Sequence, residues 1–564
     1  MSASFKALSE VLEKVENTKK RLEIIGQVAD FLKTLNAEEI EPAVNLMVAR
    51  AFPKYSQKTL DINWSTIVRI LQSISSVDWK LFQSAMASTG DVGSATKTLL
   101  ENSKTKKQTQ LLQHPLTITE VRRTFEAVAQ ANGLGARQRK ERLITTLLSQ
   151  ASPLEAKYLV KVFTGEMRTG LHEGLMEQAV ASAFNVPLQE VQHASMVLGD
   201  IDEVAAMLKN KGVKGLETVG FEVFRPVQLM LAQTVDSVQE ALMEQGGVSA
   251  LEYKYDGARV QIHVNSGDVR VFSRRLTDVT GSLPEVVETV KRNISARSAI
   301  VEGEIISLDA AGYPIAFQHL MRRFKRLKNV ADAKEKIPLT LVLFDSLYLN
   351  GESLINNTYL KRRQILAETS RQIPLSHQIL TDNPIRAQEF LQEALKAGHE
   401  GLMAKKLDSR YTPGRRGKRW LKIKPVLEPL DLVKTAAEFG YGRRKGWLSD
   451  YYLAARDPES GEFLEVGKTF KGLTDLEIVD LTARLKEYAV SQDGHRVIVM
   501  PKIVVEVAYN EIQQSPKYKS QMALRFARIT RIRDDKSPEQ ASTIGQVQEI
   551  YERQFSKKGK YKAD

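Results

Sequence analysis

Residues 251–259 read LEYKYDGAR, and the placing of three charged side chains in this stretch decides how the rest of the chain is read. Successive side chains of a strand point to opposite faces, so Glu252 and Lys254 share one face of a short strand. Tyr255-Asp256-Gly257 is a turn signal. Arg259 then opens a second strand, RVQIHV, where Val260, Ile262 and Val264 alternate with Arg259, Gln261 and His263. This predicts a hairpin that returns Arg259 to the face of Lys254, holding an amine, a carboxylate and a guanidinium around one spot. A lysine is nucleophilic only when neutral, and near pH 7 only about one in a few thousand ordinary lysines is. A nearby cation such as Arg259, together with partial desolvation, raises that fraction. The structural alternative is a buried Lys254–Glu252 pair.

Composition narrows the classes. A length of 564 residues suits three or four domains. An excess of 81 Lys+Arg over 68 Asp+Glu, net +13 with pI near 9.4, favours a polyanionic partner. The chain has no cysteine, which excludes disulfides, thiol chemistry and cysteine-ligated zinc. It has no apolar run near 18 residues and no signal-peptide pattern in MSASFKALSEVLEKVENTKK, so the expectation is a soluble cytoplasmic protein without membrane contact.

Up to about residue 222 the apolar spacing is helical, as in FKALSEVLEKVENTKKRLEIIGQVADFLKTL and SPLEAKYLVKVFTG. Ser152-Pro153 predicts an N-cap followed by proline at the first helical position. Gly133-Leu134-Gly135 precedes Arg137, Arg139, Lys140 and Arg142. This is either a backbone–phosphate approach flanked by cations or a loop with a solvated basic face.

From about 223 to 427 strands dominate, with Arg225-Pro226 marking the boundary. VRVFSRR follows the turn Asn265-Ser266-Gly267-Asp268 as a third strand. In AIVEGEIISLD, Glu302 and Glu304 share a face with Ile300 and Ile306, and two carboxylates on an apolar strand are costly unless paired or coordinating. LTLVLFDSLYLNGESL is an apolar strand ending at Asn350-Gly351. Residues 405–424 hold nine Lys/Arg and one Asp, and Lys422 and Lys424 alternate onto one face. With Glu400 and its glycine upstream, this run points to a triphosphate site rather than a solvated face. Beyond 428, short strands and one helix, LTDLEIVDLTARLKEYA, predict a small closed β-barrel of the oligonucleotide-binding type, followed by a basic tail, SKKGKYKAD, read as disordered.

KYDGAR resembles the KxDGxR signature of the nucleotidyltransferase superfamily, which comprises DNA ligases, RNA ligases and mRNA-capping enzymes. The resemblance implies that Lys254 attacks the α-phosphate of a nucleotide. FSRR resembles the ligase SR motif, which implies a 5′-phosphate role for Arg274. VEGE resembles DGE, with Glu302 where the family has Asp, and implies a ribose or metal role for Glu304. FDSLYLNG implies that Phe344 stacks on adenine. EGLMAK supplies Glu400 as a metal ligand together with Lys405, and WLKIK supplies Lys422 and Lys424 for the α-phosphate. LRFARITRIRDDK resembles RFPRxxRxRxDK through Arg525, Arg528, Arg531, Arg533 and Lys536, with Ala527 in place of proline. GEMRTGLHEGLMEQAVASAF resembles the helical domain of replicative ligases, which implies phosphate contacts by Arg137, Arg139, Lys140, Arg168 and His172.

These motifs run in family order over roughly residues 110–540, so the chain resembles ATP-dependent DNA ligases of the archaeal–eukaryotic replicative type. The implied fold is multidomain: an all-α DNA-binding domain at 1–222, an α+β nucleotidyltransferase (adenylation) domain at 223–427 and an OB-fold β-barrel at 428–564. The implied activity seals nicks in duplex DNA through lysine–AMP and an adenylylated 5′-phosphate, in replication, repair and recombination. Lys254 is the implied catalytic residue. ATP is assigned to Glu252, Lys254, Arg259, Arg274, Glu304, Phe344, Arg416, Lys422 and Lys424, and Mg²⁺ to Glu304 and Glu400. The implied partner is nicked double-stranded DNA, bound by a monomer. An RNA-ligase or capping activity and a non-catalytic scaffold are the alternatives. Relatives carry a clamp-binding peptide, Q-x-x-F-F, before a PLT segment. The corresponding Gln108, Leu111 and Leu112 suggest weak binding to a sliding clamp, against a plain loop.

Overall fold

The periodicity of the first third becomes helices, from Phe5–Glu16 to Lys214–Glu217. One of them shows how the sequence encodes its own ends. The Ser152 hydroxyl accepts the Glu155 N–H, the Glu155 carboxylate takes the Ser152 N–H, Pro153 starts the helix, and Gly165 ends it in the left-handed region. These helices bury one continuous apolar cluster that includes Phe5, Val44, Phe125, Tyr158, Val180 and Leu208. The computed structural model describes residues 3–75, 78–103, 115–217, 219–324, 337–414, 416–424, 427–440 and 444–555. Gln108, Leu111, Leu112 and the tail SKKGKYKAD lie outside the described residues.

The strands that follow are β1 (Leu231–Val235), β2 (Ser249–Tyr253), β3 (Ala258–Asn265), β4 (Asp268–Ser273), β5 (Ser298–Ser307), β6 (Leu339–Leu349), β7 (Glu352–Ser353), β8 (Gln378–Thr381), β9 (Leu402–Lys406) and β10 (Arg416–Ile423). They form two sheets, β1-β10-β9-β2-β8 and β4-β3-β5-β6-β7. This corrects the predicted hairpin: β2 and β3 do not pair, and the YDG turn carries the chain from one sheet to the other. A Cβ on Gly257 would lie 2.5 Å from the Ile305 carbonyl oxygen, so the turn lies hard against β5. A side chain there would hold it off.

Each sheet covers its outer face with a helix. Leu251, Leu402, Ala404, Leu421 and Ile423 pack on Ala387, Phe390 and Ala394 of helix Pro384–Lys396. Val260, Ile262, Val301, Ile305, Leu341 and Leu343 pack on Val286 and Val290 of helix Pro284–Asn293. Strand alternation therefore turns the intervening polar residues of both sheets inward, towards each other. The helical region bears on the second sheet: the Gln57 amide donates to the Leu276 carbonyl (3.0 Å) and its oxygen accepts the Asp278 N–H (2.9 Å).

The last region contains β11 (Leu430–Phe439), β12 (Leu448–Arg456), β13 (Phe463–Thr469), β14 (Ala489–Asp493), β15 (Arg496–Val499), β16 (Val504–Ala508), β17 (Glu511–Gln514), β18 (Met522–Arg525) and β19 (Arg528–Ile532). β11 pairs with β16 through Leu430–Val433 and with β15 through Ala436–Glu438, which curls the sheet in the manner of an OB-fold. The predicted closure is corrected. Among the described residues β17 and β18 pair only with each other, and the turn before β18 meets β13 through the Ser520 hydroxyl, which donates to the Glu465 carbonyl (2.6 Å), instead of through a ladder.

Candidate active site between the two sheets

Lys254 is anchored through its backbone before its side chain is considered. Its N–H donates to the Gly401 carbonyl and its carbonyl accepts the Glu400 N–H, both at 2.9 Å. Gly401 has φ +140°, and a Cβ there would lie 2.2 Å from the Ile423 carbonyl oxygen. The glycine thus lets the Glu400 strand end lie against β10. The Glu400 carboxylate then pairs with Lys254 and with Lys424, the latter at 2.5 Å.

This overturns one expectation and the structural alternative set beside it. The partner of Lys254 is Glu400, not Glu252. Nor does a neighbouring cation lower the amine. Burial pulls the Lys254 ammonium down, but Glu400, Glu304 and Asp256 outweigh it and raise it above the ordinary lysine value. Burial likewise pushes Glu400 up, and Lys254 and Lys424 override it, holding the carboxyl at about 2. Arg259 is committed elsewhere. It donates to Glu302 (2.8 Å) and to the Met230 carbonyl (2.8 Å), with its guanidinium 5.3 Å from the Phe344 ring centre and 5.5 Å from that of Trp420. The Tyr411 hydroxyl completes this knot by donating to Glu302 (2.9 Å) and accepting the Met230 N–H (2.8 Å). Glu302, the departure from the family motif, is fully buried and neutralised.

Glu304 is different. Burial pushes its carboxyl up to about 7, with Lys254 and Arg259 offsetting part of the cost and Glu400 and Asp256 adding to it. Lys422 lies in a field of one sign. Burial, then Arg416, Lys254, Lys424 and Arg274, lower its ammonium, which marks a place where cations converge. Arg274 and Arg416 are exposed, just beyond β4 and at the start of β10. Such a cluster suits an oligophosphate.

Glu252 faces the same cleft but pairs with Lys405 (2.9 Å) and accepts from Tyr359 and from Gln378 (3.1 Å). Phe344 and Met403 are half-buried on an apolar floor of Trp420, Tyr411 and Met230. Tyr359, Gln378, Met403, Tyr411 and Trp420 were not singled out from the sequence. Their only signal there was position beside the motif residues. Glu304 and Glu400 are hard oxygen donors flanking Lys254, a set that fits Mg²⁺, which takes one or two carboxylates alongside substrate phosphates.

The remaining cations divide. Arg533 and Lys536 are both tied to Asp431 (3.1 and 2.6 Å), and Arg525 lies 3.4 Å from Glu511, while Arg528 and Arg531 are exposed on β19. In the helical region Arg137, Arg139 and His172 are exposed. Lys140 donates to the Leu60 carbonyl (3.0 Å), and Arg168 donates to the Gly90 carbonyl (2.7 Å). Among the described residues no helix is long and apolar enough to cross a membrane.

Comparison with known proteins gives three family matches. Residues 4–181 match the family described as DNA ligase N terminus, residues 229–424 the ATP dependent DNA ligase domain, and residues 444–536 the ATP dependent DNA ligase C terminal region. A protein of Korarchaeum cryptofilum named DNA ligase 1 is 45% identical over 98% of this chain and 99% of its own length. The DNA ligase of Thermococcus onnurineus is 42% identical over 98% of both chains. The solved structure of Pmar-Lig_PreS3 superposes with a TM-score of 0.59 at 18% identity, covering 93% of this chain and 99% of that one, a likeness of fold.

Proposed function

The chain belongs to the family of ATP-dependent DNA ligases, and from that premise we propose which of its side chains carry each part of the family's reaction. The reaction seals nicks in duplex DNA at the expense of ATP, through lysine–AMP and an adenylylated 5′-phosphate, in replication, repair and recombination. RNA-ligase, capping and scaffold readings fall away with it.

Lys254 is the nucleophile. Its Nζ first gives one proton to solvent, the neutral amine attacks the α-phosphate of ATP, the N–P bond forms as the P–O bond to pyrophosphate breaks, and the second proton passes to solvent. The observation that carries this reading is the Glu400 carboxylate held between Lys254 and Lys424 beside the cation cluster on Lys422. Lys422, Lys424, Arg416 and Arg274 bind and orient phosphates, which is most of what phosphoryl transfer asks of a protein. Phe344 supports the base, Glu252 borders it, and Arg259 braces the cleft through Glu302. Glu304 and Glu400 hold Mg²⁺, which when bound offsets phosphate charge and competes with Lys254 for Glu400. With Glu400 shared in this way, the support for the charged form of Lys254 would weaken.

The division at 222/223 and 427/428 separates a helical DNA-binding part, an adenylation part and an OB part. Exposed Arg137 and Arg139 contact phosphates of nicked DNA, and the protein works as a cytoplasmic monomer. Gln108, Leu111 and Leu112 make a weak contact with a sliding clamp, a reading supported by sequence position alone. Titrating the cognate clamp against wild type and Leu111→Ala/Leu112→Ala tests it, and equal affinities would refute it.

The central experiment incubates Lys254→Ala with labelled ATP and Mg²⁺. Loss of the covalent AMP adduct, with nicked-DNA binding and sealing of pre-adenylylated nicks retained, is expected. A persisting adduct would remove Lys254 from the role.

A further inference from the structure

Lys405 has no part in the chemistry above, yet it is among the most confined cations of the described residues. Its Nζ lies 4.5 Å from the ring centre of Trp420, 4.6 Å from Phe344 and 4.9 Å from Tyr359, and donates to the Phe344 carbonyl (3.4 Å). Its one carboxylate partner within ion-pair distance is Glu252, and both side chains are 2% exposed. A buried charge pair is costly, and losing one partner leaves the other stranded.

The acceptor inventory of Glu252 gives the pair a consequence. An ionised carboxylate has about four lone-pair sites and donates nothing. Oε1 takes the Tyr359 hydroxyl and the Gln378 amide, and Oε2 takes Lys405, which leaves one acceptor site on Oε2. In strand register Glu252 stands opposite Met403, and Met403 stands opposite Lys422. Two strand spacings, about 10 Å, therefore separate the carboxylate from the phosphate-binding lysine, with Met403 between them. A nucleotide whose phosphates lie at Lys422 and whose base lies on Met403 and Phe344 presents its far edge to Glu252.

We propose that Lys405 sets the nucleobase preference: by neutralising Glu252 inside the aromatic cage it keeps that group a pure acceptor, which selects a base with an amino edge and rejects one with a carbonyl edge. The inference rests on the reading of this cleft as the nucleotide site. Without Lys405, burial pushes Glu252 towards the neutral acid, with only the Arg363 charge and the Tyr359 and Gln378 bonds opposing it, and the acid donates a hydrogen bond that accommodates a carbonyl. Lys405 is a positioning residue, acting through Glu252.

The test uses the full chain and Lys405→Met, which keeps bulk in the cage, with covalent nucleotidylation measured against ATP and GTP in parallel. The expected result is a raised KM for ATP with a smaller change in kcat, a gain with GTP, and an ATP:GTP preference reduced about tenfold or more. Glu252→Gln should relax the preference comparably, and the double variant should add little, since both act through one group. If Lys405→Met does not fold, the double variant, which buries no lone charge, gives the same reading. Equal loss with both nucleotides, or an unchanged preference in a folded variant, would overturn the proposal. Lys254→Ala run alongside separates the two failures: an adduct that survives in it refutes the nucleotide-site reading itself.

Discussion

Glu400 is bonded to Lys254 twice, once through the main chain and once through the side chain, so the amine and its counter-charge are positioned as one unit. The backbone bond sets where the amine stands, and the ion pair sets its proton. The pair thus favours the protonated form of the amine. A divalent cation held by Glu400 would weaken this support for the charged amine.

Glu400→Gln should therefore change both rate and pH profile. The raised Lys254 value loses its main support, so the alkaline limb of self-adenylylation moves to lower pH. The rate at saturating Mg²⁺ should fall about a hundredfold with the loss of the proposed metal ligand. Single-turnover adduct formation across pH checks both, and an unshifted limb would refute the pairing.

Glu304 predicts an acid limb. Its carboxyl, pushed up to about 7, holds its proton more tightly in the folded chain than in the unfolded one. The fold therefore loses stability from this group as pH rises from the ordinary carboxyl value through about 7, while metal binding gains. Adenylylation should rise through pH 7 in the wild type and not in Glu304→Gln. Thermal unfolding should show the variant gaining on the wild type between pH 5 and 8.

The Arg259–Glu302 pair is a structural brace, and breaking one side should cost stability as well as activity. Glu302→Ala leaves a buried guanidinium without its partner, with an expected cost of about 3 kcal/mol or more. Denaturant unfolding measures it, and a loss below about 1 kcal/mol would contradict the burial argument.

Gly257→Ala tests the crossing between sheets. Its Cβ would meet the Ile305 carbonyl oxygen at 2.5 Å and Glu304 Cγ at 2.8 Å, so β5 or the turn has to yield. We expect destabilisation of about 1–3 kcal/mol and a disproportionate loss of adduct formation. Gly281→Ala, with open space around it, is the control and should be near neutral.

On DNA, Arg137→Ala/Arg139→Ala should flatten the salt dependence of nick binding. Each phosphate that is no longer neutralised lowers the slope of log K against log salt by about 0.9. Lys140→Ala should do less, because Lys140 is already bonded to the Leu60 carbonyl and lies 3.7 Å from Asp61.

Local order was legible in the chain. The capped helix at Ser152 and the inward faces of Glu252, Lys422 and Glu304 follow from caps and alternation within a few residues, and motif order carried the family, whereas the need for glycine at 257 comes from β5 and only the packing shows it. Partners were not legible. Alternation says which face a side chain takes but not what faces it, so the sequence offers Lys254 only its neighbours, Arg259 or, as the structural alternative, Glu252, while its partner lies 146 residues away. The hairpin and the closed barrel failed for the same reason: a strand pattern predicts a strand, whereas its neighbour is chosen by the packing of whole sheets. The sequence by itself determined the family, the elements and the inventory of charges. Tertiary structure decided which charges neutralise one another, because ion pairing is settled over a few ångströms between residues that only the packing of two sheets brings together.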